Sequence, residues 1–271
     1  MHFLLKLLTL DFPAVLPINY QYPLSACIYR VLQRAHQDYA HYLHDTGYRQ
    51  FDHSRKAFKL FTFSDIRTPF KIEDDRMRLL GPEAKLIVCF YCPRAAEVFI
   101  KGLFTNPDIQ IADRKSRVRL RVSQMTSIPT GLTDAPIQEV LLQPLSPTVC
   151  GLKNKKGSYD FLSPQDQAFL PQLIYNWQSK YKTLRQDAKE AFSGMSMEVL
   201  LYRKPPKSRL ITIKANSPHE TKIKGYMNYR LKVKARLDVL DLLLGAGIGL
   251  NNSLGMGCVG INDPFTYRLY L

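Results

Sequence analysis

The first half of the chain predicts six main secondary-structure elements from its pattern of apolar and polar residues. Alternating positions favour β-strands at residues 58–64 and 109–122, and runs rich in apolar and β-forming residues favour strands at 2–10 and 85–91. Apolar residues at helical spacing predict a helix, or a broken pair of helices, over residues 24–42. Pro93 suits a first helical position and predicts a helix over 94–103, and residues 78–80 are expected to form a hairpin with 85–91. The order β-α-β-β-α-β is that of a ferredoxin-like domain.

The second half repeats this order with less regular patterning. We predict strands at residues 136–143, 148–151, 225–231 and 257–261, and a hairpin of residues 197–202 and 210–214. Ser163 predicts the start of a long helix that runs to about residue 191, and residues 238–244 predict a short helix. The predicted fold class is α+β: two tandem ferredoxin-like (RRM-like) βαββαβ domains with a C-terminal glycine-rich loop. We place these domains at residues 1–128 and 129–271, with the boundary in the turn-rich segment 129–136.

Charge narrows the class of partner. The 271 residues include 38 Lys and Arg against 23 Asp and Glu, a formal net charge of +15 that both halves share. This excess favours a polyanionic partner, with nucleic acid first and an anionic membrane surface second. No amphipathic membrane-binding helix and no apolar stretch of spanning length is visible, so we expect no membrane partner.

Five scattered cysteines favour a reducing compartment, and we expect a cytoplasmic protein. The pair Cys89 and Cys92 has no second Cys or His pair at zinc-ligand spacing, so a buried pair at a strand end is favoured over a zinc site. Lys6 interrupts the apolar start of the chain, which favours a first strand over a signal peptide. We expect no metal and no cofactor.

A glycine-rich segment at residues 245–257 places five glycines in thirteen positions. Glycine lets successive N–H groups converge on phosphate oxygens, and Asn251, Asn252 and Ser253 add side-chain donors. The segment lacks the following helix and acidic residue of a Rossmann loop and the Gly-Lys-Ser/Thr run of a Walker A loop. From the residues alone, phosphate binding and a purely structural glycine turn both stay open.

Four segments in order resemble the CRISPR repeat-cleaving endoribonucleases, which cut precursor CRISPR RNA into guide RNAs. They are YPLSACIYRVL at residues 22–32, YAHYLHDTGY at 39–48, FKLFTFSDI at 58–66 and GIGLNNSLGMG at 247–257. The resemblance implies two ferredoxin-like domains, a metal-independent endoribonuclease, and CRISPR repeat RNA (precursor CRISPR RNA) as the partner. Other CRISPR effector subunits and a second copy of the chain, as a homodimer, are further expected partners.

The resemblance also implies site residues. The catalytic positions of the family fall on Tyr29 in the first helix, His44 after it and Lys59 at the next strand. The loop departs from the family pattern because no Lys or Arg lies between its glycine pairs, so cationic help must come from elsewhere. In the loop, the predicted RNA-binding residues are Gly247, Gly249, Asn251, Asn252, Ser253, Gly255 and Gly257. Dense basic segments add Lys204, Lys207, Arg209, Lys222, Lys224 and Arg230, and bases could stack on Phe58, Tyr226 and Tyr229.

Each candidate catalyst also has a structural interpretation. Tyr29 at helical spacing from Leu32 fits a core position, Lys59 fits the solvated face of a strand, and His44 is one of six histidines. Metal-independent cleavage needs a base for the 2′-hydroxyl, an acid for the 5′-oxygen and cationic stabilisation of the phosphorane. An imidazole can serve as acid or base near neutral pH, whereas a tyrosine needs a lowered pKa to act as a base.

We expect products with a 2′,3′-cyclic phosphate or 3′-phosphate and a 5′-hydroxyl. The alternative function is a non-cleaving repeat-RNA-binding protein or an RNA-binding subunit of a CRISPR effector complex.

Overall fold

The computed structural model describes residues 1–50, 56–155, 157–215 and 217–262. A π-helical turn spans Tyr42–Thr46 in its first half. The other elements of that half are β1 His2–Thr9, β2 Val15–Pro17, α1 Gln21–Ala35, α2 Gln37–His41, β3 Tyr48–Arg49, β4 Ala57–Phe58, β5 Phe61–Phe63, β6 Phe70–Glu73, β7 Arg76–Leu79, β8 Glu83–Phe90, α3 Pro93–Thr105, β9 Asp108–Ala112 and β10 Arg117–Ile128.

Five of these strands form an antiparallel sheet in the order β5-β8-β1-β10-β9. Without the edge strand β9, this is the ferredoxin-like arrangement. Side chains of β1 point alternately to the two faces of the sheet, and apolar side chains on both faces suit a central strand. Phe3, Leu5 and Leu7 belong to the apolar core that also holds residues of α1 and α3, while Leu4 packs with Leu145 and Cys258 of the second half. The first sheet is therefore covered on both faces at its centre.

The second half has the same plan with two added hairpins. Its elements are β11 Ile137–Pro144, β12 Gly151–Lys153, β13 Tyr159–Phe161, α4 Phe169–Tyr181, α5 Ala188–Ala191, β14 Ser196–Leu201, β15 Lys207–Ile213, β16 Thr221–Met227, β17 Tyr229–Arg236, α6 Leu237–Ala246 and β18 Val259–Ile261. The sheet order β14-β17-β11-β18 is again ferredoxin-like, and β12-β13 and β15-β16 pair separately. The predicted α+β class with tandem ferredoxin-like halves is confirmed. The boundary between residues 128 and 129 stays a prediction.

Two predicted strand pairings are wrong. Strand β14 pairs with β17 and β15 pairs with β16, so residues 197–202 and 210–214 do not form a hairpin with each other. Pro205 and Pro206 lie between β14 and β15, and without N–H groups they disfavour a tight hydrogen-bonded turn. Strand β7 pairs with β2 and β6 rather than with β8, because both edges of β8 are occupied by β1 and β5.

Several predicted continuous elements are interrupted. Leu60 and Asn228 have φ angles of 53° and 62°, which take the chain out of strand geometry. The predicted strand 58–64 therefore divides into β4 and β5, and 225–231 divides between β16 and β17. Residues 109–122 form a β9-β10 hairpin, in which the Asp113 carboxylate accepts hydrogen bonds from the turn. The long helix expected from Ser163 starts at Phe169 and ends at Tyr181. The broken helix over 24–42 is confirmed.

The two halves meet along the glycine-rich segment. Ser25 of α1 donates a hydrogen bond to the carbonyl oxygen of Ser253 at 2.6 Å, and Thr62 of β5 donates to the carbonyl of Met256 at 3.0 Å. These contacts place one face of the first half directly beside the loop of the second. In the described ranges, no helix has the length and apolar character needed to cross a bilayer.

Candidate active site

Helix α1 positions Tyr29 at the edge of the first core. The helix buries Leu24, Ile28 and Val31 at helical spacing, and the half-buried Tyr29 ring packs at the margin of that stripe. Its ring meets Phe61 of β5 edge-on with centroids 5.5 Å apart. The core interpretation of Tyr29 is thus correct for its ring, while its hydroxyl is close enough to the Ser253 side chain of the loop for that group to act on its pKa.

The π-helical turn brings His44 back to α1. The His44 ring contacts the Tyr29 ring edge-on at a centroid distance of 5.0 Å. The turn closes at Gly47, which has a φ of 61°, and a Cβ there would lie 2.7 Å from the carbonyl oxygen of Phe58. Glycine at this position therefore allows the turn to lie against the start of the segment that carries Lys59.

Lys59 completes the group, because its Nζ donates a hydrogen bond to the backbone carbonyl of His44. The structure thus brings together all three residues that the resemblance implied as catalysts. They come from a helix, a turn and the link between two short strands, and they meet at the border with the second half.

The three side chains differ in their electrostatic surroundings. Burial raises the pKa of Tyr29 to about 12, although the Ser253 hydrogen bond opposes the shift. Burial also lowers the pKa of Lys59, and Asp45 partly offsets that effect. The His44 side chain is 64% exposed, and its Nδ1 lies 2.6 Å from Oδ1 of Asp45. The arrangement combines a neutral hydroxyl, an accessible imidazole and an ammonium group.

The loop glycines are required by packing. A Cβ on Gly257, where φ is 66°, would lie 1.8 Å from the carbonyl oxygen of Ile248. A Cβ on Gly255, where φ is 81°, would lie 2.3 Å from the Phe63 ring. Gly247 and Gly249 are buried as well. Packing therefore explains why these four positions are glycine, and their predicted contacts with RNA stay predictions.

Lys180 of α4 is a loop-organising residue that the sequence analysis missed. Its buried Nζ donates to the carbonyl oxygens of Gly247 at 2.6 Å and Gly249 at 3.3 Å, and to Oδ1 of Asn252 at 2.6 Å. Burial lowers its pKa to about 7. The sequence could have predicted its burial, because Lys180 follows Leu173 by seven residues and Trp177 by three and therefore lies on the same face of α4.

The polar loop residues have different environments. The Asn252 amide group donates to the carbonyl oxygens of Ile248 and Met256, so its side chain is engaged within the loop. Asn251 adopts the left-handed conformation with a φ of 59°. Asn251, Asn252 and Ser253 all line a cleft between the two halves, together with the backbone of Gly249.

This interdomain cleft has a volume of about 930 Å³. Phe58 and Lys59 line it from the first half, and Tyr159, Tyr175 and the loop line it from the second. Among the described lining residues there is no Asp or Glu. The basic residues that line the cleft are Lys56, Lys59, Lys180, Lys214, His219 and Lys222. Such a surface attracts an anionic chain.

The other predicted RNA-binding side chains lie outside this lining. The Arg209 guanidinium makes a bidentate ion pair with Asp65, with Nη1 to Oδ1 at 2.9 Å, so it links the two halves. Lys224 lies 5.4 Å from the Tyr226 ring centroid and Arg230 lies 5.1 Å from that of Tyr202. Lys204 and Lys207 are exposed near the β15-β16 hairpin.

Stacking of bases on Tyr226 and Tyr229 is excluded in this structure. The two side chains are 7% and 1% exposed, because they fill the second core and the space beside it. Cys89 is also buried, and it packs with Cys258 rather than facing solvent. No group of three or more His, Cys, Asp or Glu side chains in the described ranges could hold a metal ion.

Two family models match the chain. The model of the N-terminal part of CRISPR-associated protein Cas6 matches residues 15–121, and the model of its C-terminal part matches residues 133–261. The CRISPR-associated endoribonuclease Cas6 of Pyrococcus furiosus is 27% identical over 272 residues, which cover 99% of this chain and 92% of the relative. CRISPR-associated endoribonuclease Cas6 1 of Methanocaldococcus jannaschii is 26% identical over 252 residues, which cover 90% and 87%.

A solved structure has the same fold over nearly the whole chain. The protein of a Cas6-related gene from Pyrococcus furiosus superimposes with a TM-score of 0.77 at 18% identity, covering 97% of this chain and 99% of the other. At this coverage the shared fold extends over both ferredoxin-like halves.

Proposed function

We propose, because the chain belongs to the Cas6 family of CRISPR-associated endoribonucleases, that it binds CRISPR repeat RNA and cleaves precursor CRISPR RNA into guide RNAs. The observation that carries the proposal is the meeting of Tyr29, His44 and Lys59 beside the loop and the basic cleft, whose described lining residues include no carboxylate. These groups supply proton transfer and positive charge next to a surface suited to a polyanion.

The proposed reaction uses the nucleophile that RNA carries. The 2′-hydroxyl attacks the adjacent phosphorus, the P–O5′ bond breaks, and the products are a 2′,3′-cyclic phosphate and a 5′-hydroxyl. The proton of the 2′-hydroxyl must leave and the 5′-oxygen must gain one, so the reaction needs no external reactant. Hydrolysis of the cyclic ester by water would give the 3′-phosphate.

His44 is assigned to proton transfer. Its imidazole is the most exposed of the three groups, and its contact with Asp45 engages Nδ1 and orients the ring. We therefore assign Nε2 to the proton transfer with RNA.

Tyr29 and Lys59 are assigned to the phosphate. The raised pKa of Tyr29 keeps its hydroxyl protonated at neutral pH, so it acts as a hydrogen-bond donor rather than a base. The Lys59 ammonium stabilises the negative charge that develops on the phosphorane.

The test is cleavage of the organism's own repeat RNA by purified protein in EDTA, with analysis of the product ends. Wild-type protein is expected to cut, and His44→Ala is expected to cut about 10²- to 10⁴-fold more slowly with RNA affinity unchanged. His41→Ala is the matched control, because His41 is an exposed histidine in the same segment.

Each outcome has a defined meaning. Wild-type rates in His44→Ala would overturn the assignment of the imidazole, and loss of all cleavage in EDTA would overturn metal independence. A 2′-deoxy substitution at the cut nucleotide should block cleavage. Tight RNA binding without cleavage by wild-type protein would favour the non-cleaving alternative. Association with effector subunits and homodimer formation stay predictions.

A further inference from the structure

Two exposed tyrosines in the cleft have no part in the proposed chemistry. Tyr175 is 51% exposed and Tyr159 is 45% exposed, and both line the cleft with Lys59 and Ser253. Large aromatic side chains are normally buried, and an exposed pair in a concave basic surface is typical of a binding site.

Tyr175 is held from one side by a cation. It lies in α4, and Lys56 Nζ is 4.4 Å from its ring centroid and 3.1 Å from its hydroxyl oxygen. The lysine belongs to the first half and the tyrosine to the second, so this pair spans the cleft. Half of the Tyr175 side chain stays exposed in spite of the contact.

Tyr159 is presented by an added hairpin. It lies in β13, and its ring stacks on Phe161 with an interplanar angle of 22° and centroids 6.4 Å apart. Strands β12 and β13 are not part of the ferredoxin-like sheet, so the hairpin is free to serve a binding role. Phe161 supports one side of the ring and leaves the rest of it open to the cleft.

The charges around these rings select the ligand. Lys56, Lys214 and Lys222 are exposed along the same lining, and the described part of it contains no carboxylate. Ammonium groups next to aromatic rings match the alternation of phosphates and bases in a nucleic-acid strand. A base that stacks on a side chain must have an open face, which bases inside a duplex lack, so the fit is to unpaired nucleotides.

We propose that Tyr159 and Tyr175 form a stacking platform for unpaired bases of the RNA strand adjoining the cleaved phosphate, with Lys56, Lys214 and Lys222 contacting its backbone. The inference rests on the proposed function for the identity of the RNA, since Lys59 and Ser253 connect the platform to the catalytic group. It adds a binding subsite for a single-stranded segment of the substrate.

The test measures binding rather than cleavage. The probes are a fluorescein-labelled ten-nucleotide oligouridylate and an abasic strand of the same length, and fluorescence anisotropy gives the affinity of each. Tyr159→Ala and Tyr175→Ala are each expected to weaken oligouridylate binding about tenfold and to leave abasic-strand binding unchanged. Tyr175→Phe should restore binding because stacking needs the ring and not the hydroxyl.

Tyr202→Ala is the matched control, since Tyr202 is 42% exposed but lies outside the cleft lining. Unchanged affinity in both alanine variants would overturn the platform, and so would an equal loss with the abasic strand. Absence of repeat-RNA cleavage by wild-type protein would overturn only the proposed function, because the anisotropy result does not depend on it. The melting temperature of each variant confirms that it is folded.

Discussion

Tyr29 lies between the apolar core and the exposed imidazole of His44, and this position fixes what its hydroxyl can do. Burial raises its pKa to about 12, above the ordinary value of 10.0, so the neutral form dominates between pH 6 and 9. A neutral phenol donates a hydrogen bond but does not accept the proton of a 2′-hydroxyl.

Replacing Tyr29 with Phe tests this assignment. The variant keeps the ring contacts with Phe61 and His44 and removes only the hydroxyl. We expect single-turnover cleavage to slow roughly tenfold, by the same factor at every pH from 6 to 9. A wild-type to variant ratio that grew with pH would identify the phenolate as the base. Tyr39→Phe is the control, because the hydroxyl that it removes pairs with the hydroxyl of Tyr48.

At the residue scale, the sequence named the three proposed catalysts, which the structure brings together, but it did not predict the environment of every aromatic residue. The motifs around Tyr29, His44 and Lys59 could be identified because each residue sits in a segment that resembles the family. Tyr226 and Tyr229 looked equally suited to RNA, yet both are buried. Spacing alone does not reveal which face of a short strand the core will cover when the strand's partners are unknown.

The glycine-rich loop shows how one element depends on another. Lys180 reaches into the loop from α4 and donates to three oxygens, while Asn252 ties Ile248 to Met256. A helix lysine thus donates to the loop from within, although the sequence between the glycine pairs contains no cation. Because that ammonium is consumed by the loop, we infer that it shapes the loop rather than contacting RNA.

Lys180→Met should separate this role from a general effect of charge. Methionine fills a similar volume but leaves the Asn252 oxygen and two carbonyl oxygens without their donor, which costs about 3 kcal/mol of unfolding free energy. We also expect slower cleavage, by roughly tenfold or more, because Ser253 loses its fixed position against Tyr29. Denaturant unfolding and single-turnover kinetics measure the two effects. Lys189→Met, an exposed change in α5, should alter neither, and equal effects in both variants would contradict the role of Lys180.

Element order could be predicted well, whereas element ends and pairings could not. The order of strands and helices follows from local periodicity, and both halves have the expected sheet. The breaks at Leu60 and Asn228 depend on positive φ angles, which an asparagine adopts more readily than most residues but which nothing about a leucine predicts. Residues 204–207 looked like the turn of a hairpin between 197–202 and 210–214, so the actual pairing of β15 with β16 was not predicted.

On the scale of the whole molecule, the basic excess is spread over both halves, and only the fold gathers part of it into one surface. Lys56 and Lys59 come from the first half, and Lys214 and Lys222 come from the second. Net charge predicted a polyanionic partner, but the location of its cleft required the packing of the two sheets. Arg209 shows the converse, since its basic segment pointed to RNA while its guanidinium pairs with Asp65.

The Arg209 and Asp65 pair is expected to hold the halves together. Asp65 is 15% and Arg209 37% exposed at the side chain, so the pair is shielded in part from solvent. Either Arg209→Ala or Asp65→Ala should lower the melting temperature by roughly 4 °C or more. The melting temperature of the double variant should be little lower than that of a single variant, because either change already breaks the pair. Because Asp65 already occupies the Arg209 guanidinium, Arg209→Ala should change RNA affinity by less than about threefold. Lys207→Ala on the same strand should leave the melting temperature unchanged, and a large affinity loss in Arg209→Ala with no thermal effect would assign Arg209 to RNA.

The way Gly255 rests on Phe63 has a consequence for any attempt to divide this protein. The first half carries all three proposed catalysts, but the partner of the Tyr29 hydroxyl and the cover over β5 belong to the second half. If the halves were produced as separate fragments, each would expose to water the apolar surface that the other half normally covers. When the two fragments are mixed, they should bind each other through these apolar surfaces and restore the site that lies between the halves.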